Sequence, residues 1–199
     1  MPAPSILTFC IYIVIYYIVH SFLTSQFVKN RFDFKGYRIA YNLFAVITLV
    51  PVIYVLFKSV FDSFAIPLSV RIGGVLLLLI GIYIHVATFR WFSSKVFLGI
   101  EEQKDADQVL VTDGLYSTVR HPFYTGTLMQ FWSLFILFPN LYFLSFALLS
   151  SIYVVIGSRL EENKLIVHHP KYVEYRQTVP ALIPWKEPLS FFSHLVSKK

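Results

Sequence analysis

The chain has 199 residues, of which 56% are hydrophobic and only 14% are charged. This length suits one domain, and the charge is too sparse to cover the surface of a soluble protein, so a soluble domain is excluded. The net charge of +6 would suit nucleic acid, but the basic residues do not gather on one soluble face, so no nucleic-acid partner is predicted.

Long uncharged segments predict membrane-spanning helices. The first is unlike a cleaved signal peptide because it lacks a basic start and a small-residue cleavage site. The last uncharged stretch, residues 121–158, is too long for one span, and Pro139-Asn140 divides it. We therefore predict an all-α integral membrane protein with five transmembrane helices, the last two forming a hairpin. The predicted spans are residues 1–28, 39–57, 72–89, 122–138 and 141–158.

The placement of lysine and arginine predicts the orientation. Of the 17 Lys and Arg residues, only Lys58 and Arg71 fall on the side of the N-terminus. The positive-inside rule then places the N-terminus outside and the C-terminus in the cytoplasm. Residues 163–185 are predicted to form a cytoplasmic amphipathic segment on the membrane surface, bent at Pro170, with Tyr172 and Tyr175 among its apolar positions.

Two polar clusters are predicted to meet at the cytoplasmic surface. An arginine is costly inside a bilayer, so Arg120 of the stretch VRHPFYTG is expected at its edge. The hairpin brings this stretch beside RLEE, residues 159–162. Pro122 suits the first position of a helix, whose positive end attracts an anion, and Tyr124 offers a hydroxyl in the first turn.

The second cluster adds carboxylates to the same patch. Glu161 and Glu162 are expected just beyond the end of the other helix, where they suit an ammonium or a sulfonium group. Together the clusters predict a site for a zwitterion. The alternative interpretation is that these side chains only anchor the spans at the membrane surface.

The remaining candidate site residues lie in the connector before the VRHPFYTG stretch and at two histidines. The run QVLVTDGLYSTV, residues 108–119, predicts an extended piece, a turn at Asp113-Gly114 and a return to the surface; it either covers a flat ligand such as adenine or is a plain connector. His20 and His85, near the cytoplasmic ends of their spans, are either packed and hydrogen-bonded or bind haem or substrate. No Cys/His spacing typical of a metal site is present.

These motifs resemble a known family. The run VTDGLYSTVRHPFYTG, followed by EENKLI, a tyrosine pair and VPALIPW, is similar to the isoprenylcysteine carboxyl methyltransferase family of small membrane methyltransferases. The resemblance covers residues 109–185. The stretches VFLGI and HSFLTS are more similar to bacterial members, including thiol methyltransferases and NnrU-like proteins. Residues 1–199 then form a single domain, with three spans in residues 1–92 and a donor-binding loop, hairpin and tail in residues 93–199.

The resemblance implies S-adenosylmethionine at the cytoplasmic surface and transfer of its methyl group to an acceptor. Arg120 or Arg159 would orient an anionic acceptor, although the prenylcysteine enzymes carry an arginine where this chain has Gly157. Glu161 is favoured over Glu162 for the methionine ammonium. The implied donor-binding residues are Leu110, Val111, Tyr116, His121, Pro122, Tyr124, Glu161 and Glu162.

Several properties stay open at this point. A lipid amine, a prenylated cysteine carboxylate and a small thiol all remain as acceptors, delivered from the bilayer or the cytoplasm. No metal and no obligate protein partner is expected. The rival functions are an NADPH-dependent membrane reductase of the sterol type, which has a similar RHPNY-like stretch, and an NnrU-like haem-linked isomerase, suggested by the two membrane histidines.

Overall fold

A computed structural model describes residues 4–32, 36–91, 95 and 110–196. Within these ranges the chain is helical and contains no strand. Four helical stretches are long and apolar enough to cross a membrane: Ile6–Leu23, Tyr37–Asp62, Leu68–Thr88 and Leu141–His168. The all-α membrane class is therefore confirmed. The predicted loop over residues 96–109, with its acidic run and the VFLGI stretch, lies outside the described residues.

The N-terminal half forms four helices. Ser5 caps α1 (Ile6–Leu23) by accepting the Thr8 N–H at 3.2 Å, which satisfies one of the free N–H groups at a helix start. The short α2 (Gln26–Arg31) follows, and then α3 (Tyr37–Ser59) and α4 (Leu68–Thr88). Large apolar side chains on these helices face outward, as Val46 at 63% exposure and Leu79 at 55% exposure illustrate. Outward apolar faces of this kind suit lipid as the surrounding solvent.

The C-terminal half is built around a pair of helices. A single turn, α5 (Leu115–Thr118), precedes α6 (Pro122–Leu137), and α7 (Leu141–His168) follows after three residues. Asn140 caps α7 by accepting the N–H groups of Tyr142 at 2.9 Å and Phe143 at 3.1 Å. Its amide also donates to the Ser59 carbonyl at 2.7 Å, so this turn is fixed to the end of α3.

A core joins α1, α3 and α7 near that turn. Its buried side chains come from three helices that are distant in sequence. Their close packing fixes the position of the α6–α7 hairpin relative to the N-terminal half. The buried residues are Phe9, Ile13, Val52, Val55, Leu56, Phe143 and Phe146.

Helix α7 is longer than the sequence predicts. The fifth predicted span ends at residue 158, but the helix continues to His168, so Glu161 and Glu162 lie within it and not beyond its end. At about 1.5 Å per residue, its 28 residues exceed the thickness of the apolar core of a bilayer, about 30 Å. The charged turns after Ser158 therefore extend beyond the apolar part of the helix.

The tail consists of two further helices. After Pro170 the chain forms α8 (Tyr172–Thr178), and after an extended stretch it forms α9 (Pro188–Val196). Phe191 and Leu195 of α9 are buried in a second core with Ile84 and Ala87 of α4. Leu115 and Val119 belong to the same core, so α9 packs against both α4 and the segment that leads into α6.

Helices α4 and α6 approach each other closely at two glycines. A Cβ added at Gly81 would lie 2.8 Å from the Gly126 carbonyl oxygen, and one at Gly126 would lie 2.8 Å from the Gly81 oxygen. His85 lies beside this crossing, where its Nε2 is 3.0 Å from the Phe123 oxygen and 3.1 Å from the Thr127 hydroxyl. The small residues therefore allow the backbone contact that positions the start of α6.

Gly126→Ala is expected to destabilise the protein by about 1–3 kcal/mol, because the new methyl group overlaps backbone and the His85 ring. The measurement is the thermal midpoint in detergent. Gly73→Ala is the matched control, since a Cβ there meets nothing within 4 Å and alanine is the better helix former. An equal midpoint for the two variants would contradict this account of the crossing.

Candidate active site

The start of α6 and the last turns of α7 meet, as the hairpin predicts. The Arg120 Nε donates to Glu162 Oε1 at 2.7 Å, and its Nη2 lies 2.6 Å from the same oxygen. The His121 Nε2 is 3.1 Å from Glu162 Oε1. In the first turn of α6, the Tyr124 hydroxyl donates to Glu161 Oε2 at 3.0 Å. Residues about 40 positions apart in the chain thus form one polar cluster.

Glu162 is the buried centre of this cluster. Its side chain is only 2% exposed, and besides Arg120 and His121 it pairs with Arg176, whose Nε lies 3.2 Å from Oε2. Burial alone raises the pKa of this carboxyl, but the hydrogen bonds from His121 and Arg120 outweigh it and hold the pKa at about 2. Glu162 is therefore an ionised carboxylate whose two oxygens are both paired with protein side chains, which indicates a structural role.

Glu161 has the opposite character. Its side chain is 49% exposed, and its Oε2 lies 3.9 Å from His121 Nδ1. The His121 and Tyr124 rings stack with their centroids 5.4 Å apart, so both residues present polar atoms toward the same carboxylate. A carboxylate accepts about four hydrogen bonds, so Glu161 retains room for a ligand cation.

The tail holds the turn that leads into α6. The Arg120 N–H donates to the Pro180 oxygen at 2.9 Å, and the His121 N–H donates to the Ala181 oxygen at 3.0 Å. The Thr125 hydroxyl donates to the Leu182 oxygen at 2.6 Å. We call residues 179–182 the tail segment. It fixes the backbone from which His121 and Tyr124 project.

The Arg120 guanidinium is committed to protein groups. Besides Glu162, its Nη1 donates to the Arg176 oxygen at 3.0 Å and to the Val179 oxygen. Arg159 is exposed and forms no ion pair with either glutamate in the described chain. The structure therefore brings Arg120 into the cluster but leaves Arg159 at its edge.

The connector carries three of the predicted donor residues. Leu110 and Val111 are partly buried and lie outside any helix before Gly114. At Gly114 the backbone has φ +61° and lies against the Trp91 ring, so a side chain would not fit. Tyr116 follows in α5; its burial, and then the charge of Glu161, raise the pKa of its hydroxyl to about 12. The backbone carbonyl oxygen of Tyr116 accepts a hydrogen bond from the Tyr175 hydroxyl.

Two elements of this cluster were not predicted as site residues. Arg176 looked like one of many basic tail residues, and the carbonyl groups of the tail segment carry no side-chain signal. The proline-rich run VPALIP is the one available indication, because it imposes extended backbone whose carbonyls are free to accept.

The two membrane histidines both have protein partners. His85 contacts Phe123, Thr127 and Gln130, and His20 contacts the Tyr41 hydroxyl at 2.8 Å. Among the described residues, no group of three or more His, Cys, Asp or Glu side chains has the arrangement of a metal site.

Four of the described helices are apolar and compatible with an integral membrane protein, and the polar cluster lies where the start of α6 meets the last turns of α7. Comparison with known families makes the class specific. The phospholipid methyltransferase family (PEMT) matches residues 69–171, which is more than half of the chain. The chain therefore belongs to this family, and the predicted relationship to small membrane methyltransferases is confirmed.

Individual relatives carry one activity in their names. The chain is 37% identical over 92 residues to methanethiol S-methyltransferase of Crocosphaera subtropica, covering 46% of this chain and 35% of the relative. It is 39% identical over 111 residues to methanethiol S-methyltransferase of Pseudomonas deceptionensis, covering 51% of this chain and 40% of the relative. The matches thus span well under half the length of these relatives. No solved structure matches the chain.

Proposed function

We propose that this protein transfers a methyl group from S-adenosylmethionine to a thiol at the cytoplasmic surface of the membrane. Membership of a methyltransferase family and the names of the relatives support the reaction class. The observation that carries the proposal is the unequal pair of glutamates: Glu162 is closed by protein partners, whereas Glu161 is half exposed beside Tyr124 and His121. The family match does not favour the reductase or haem alternatives.

The residues present fit this donor. Glu161 is proposed to receive the methionine ammonium, and His121 and Tyr124 hold the Glu161 carboxylate in place. Pro122 starts the helix whose positive end favours the carboxylate of the donor. When bound, S-adenosylmethionine supplies an electrophilic methyl group on a positively charged sulfur. The adenosine is assigned to the side of the cluster formed by Leu110, Val111 and Tyr116.

The arginines argue against a carboxylate acceptor. The Arg120 guanidinium donates its hydrogen bonds to Glu162 and to tail carbonyls, so few of its N–H groups are available to an anion. Gly157 stands where the prenylcysteine enzymes carry their arginine, and Arg159 is exposed. A thiol needs no such partner, because it is neutral until it loses its proton. The acceptor-orienting roles predicted for Arg120 and Arg159 remain untested.

For the membrane, we propose that α6 is a fifth span beside the four longer helices, with the site on the cytoplasmic side. Its 16 residues extend about 24 Å as a helix, which is shorter than the apolar core of about 30 Å, and local thinning of the bilayer accommodates such a difference. The positions of the lysines and arginines support this orientation. Lys186→Cys in a Cys10→Ser background should react only with thiol reagents supplied from the cytoplasmic side; labelling from outside would reverse the topology.

The function is tested with the purified protein in detergent. Calorimetry should show binding of S-adenosylmethionine and none of NADPH, and propanethiol should become methylated when the labelled donor is present. Binding of NADPH alone, or a haem absorption band, would refute the proposal. Transfer to an added phospholipid but not to propanethiol would keep the donor and replace the acceptor.

A further inference from the structure

A groove lies between α1 and α3. It has a volume of about 210 Å³ and is lined mainly by apolar and aromatic side chains, with His20 at one end. Two lining hydroxyls already bond to α3 backbone, Tyr12 to the Thr48 oxygen at 2.7 Å and Tyr16 to the Ala45 oxygen at 3.4 Å. The His20 ring is thus the chemically available group of the groove.

His20 is surrounded by tyrosines and not by charges. Its ring faces Tyr16 on α1, Tyr41 on α3 and Tyr153 on α7, with centroid distances of 5.9, 5.2 and 6.0 Å. Within the described chain the polar partner of the His20 side chain is the Tyr41 hydroxyl, which lies 2.8 Å from Nε2 and 3.4 Å from Nδ1. One hydroxyl cannot satisfy both ring nitrogens well, so one nitrogen remains available to a ligand.

Helix α7 connects the surroundings of His20 with Glu161, because the centroid of the Tyr153 ring lies 6.0 Å from that of the His20 ring. Tyr153, Gly157 and Glu161 follow one another at intervals of four residues, which places them along one side of the helix. A Cβ added at Gly157 would meet nothing within 4 Å, unlike the tightly packed Gly81 and Gly126.

From this arrangement we infer that the groove between α1 and α3 is the acceptor site, that it takes a small apolar thiol, and that His20 accepts the thiol proton. The inference rests on the proposed function and names its acceptor pocket and base. The groove lining contains no Lys, Arg, Asp or Glu, so a carboxylate or an amine would lose its hydration without gaining a partner. An uncharged alkyl thiol loses little on entry, and the small volume suits a chain of a few carbons.

In the proposed reaction, the Tyr41 hydroxyl oxygen accepts a hydrogen bond from one nitrogen of His20, and the other nitrogen takes the proton from the thiol. The thiol sulfur forms a bond to the methyl carbon while the bond from that carbon to the donor sulfur breaks, which leaves a neutral sulfide. The His20 imidazolium then releases its proton to water at the membrane surface.

His20→Gln tests the base. General-base catalysis contributes about 10²–10⁴-fold, so kcat/KM for propanethiol should fall at least about 100-fold, because alkyl thiols are mostly protonated at neutral pH. The rate with thiophenol, which is largely ionised there, should change less than about threefold. The dissociation constant of S-adenosylmethionine should be unchanged. Equal losses for both thiols, or no loss for either, would overturn the role of His20.

Ala45→Phe tests the groove without relying on turnover. Ala45 lines the groove, and the adjacent Val46 faces outward with 63% exposure. Calorimetric binding of propanethiol to the donor-free protein should weaken at least tenfold in Ala45→Phe and stay unchanged in Val46→Phe. Equal binding in both variants would show a lipid contact surface and refute the acceptor site. A wild-type protein that binds no donor and methylates neither thiol would instead refute the proposed function itself.

Discussion

Replacing Glu161 with glutamine is expected to raise the dissociation constant for S-adenosylmethionine about 100-fold. Glutamine keeps the shape of the side chain but removes its charge, and a hydrogen-bonded charge pair with an ammonium contributes about 1.5–3 kcal/mol. Because Glu161 is half exposed and its polar contacts within the described chain are with His121 and Tyr124, the fold should be kept. Isothermal calorimetry measures the affinity, and the thermal midpoint should stay within about 2 °C, which corresponds to less than about 1 kcal/mol.

The control for this variant is Glu174→Gln. Glu174 is an exposed carboxylate on α8, so its loss changes the net charge by the same amount without touching the cluster. Donor binding in this control should equal that of the wild-type protein. The assignment of the ammonium to Glu161 would be wrong if Glu161→Gln bound normally while a folded Glu162→Gln protein did not bind.

Glu162→Gln is expected to destabilise the protein by about 3 kcal/mol. Removing one member of a buried ion pair leaves the others desolvated without a partner and costs about 3–5 kcal/mol. Here Arg120 and His121 lose their common partner, while Arg176 is partly exposed and loses less. With about 2–4 °C per kcal/mol for a chain of this size, the thermal midpoint should fall by about 6–12 °C.

A second measurement locates the damage. Limited proteolysis should cut the tail of Glu162→Gln faster than that of wild type, since Arg120 also binds the carbonyl oxygens of Arg176 and Val179. Glu162→Asp, which keeps the charge on a shorter side chain, should fall between the two. A midpoint within about 2 °C of wild type for Glu162→Gln would show that the buried cluster contributes little to stability.

The meeting of the two polar motifs was predictable from the sequence. An uncharged stretch with Pro139-Asn140 near its middle fixes the hairpin, and a hairpin necessarily returns its second helix beside the start of its first. For that reason segment lengths and charge predicted that residues 120–124 lie close to residues 159–162. The contacts of Tyr124 with Glu161, and of Arg120 with Glu162, confirm that proximity. The apolar outer faces followed in the same way from composition.

The different environments of Glu161 and Glu162 were harder to predict from the sequence. Adjacent residues on a helix point about 100° apart, so one faces the cluster interior and the other its rim. The direction depends on where α7 ends, and the sequence placed that end at residue 158, although the helix runs to His168. The role of the tail segment was hidden because backbone carbonyls, and not side chains, make its contacts with Arg120, His121 and Thr125.

The pairing of the Arg120 turn with the tail segment also sets the order in which this protein matures. Val179, whose carbonyl binds Arg120, lies 59 residues later in the chain, so at about 5–20 residues per second a ribosome takes roughly 3–12 s to supply it. Until that point the Arg120 turn lacks the carbonyl groups that hold it. A nascent chain arrested before residue 179 is therefore expected to leave Arg120 and His121 without their partners in the tail segment.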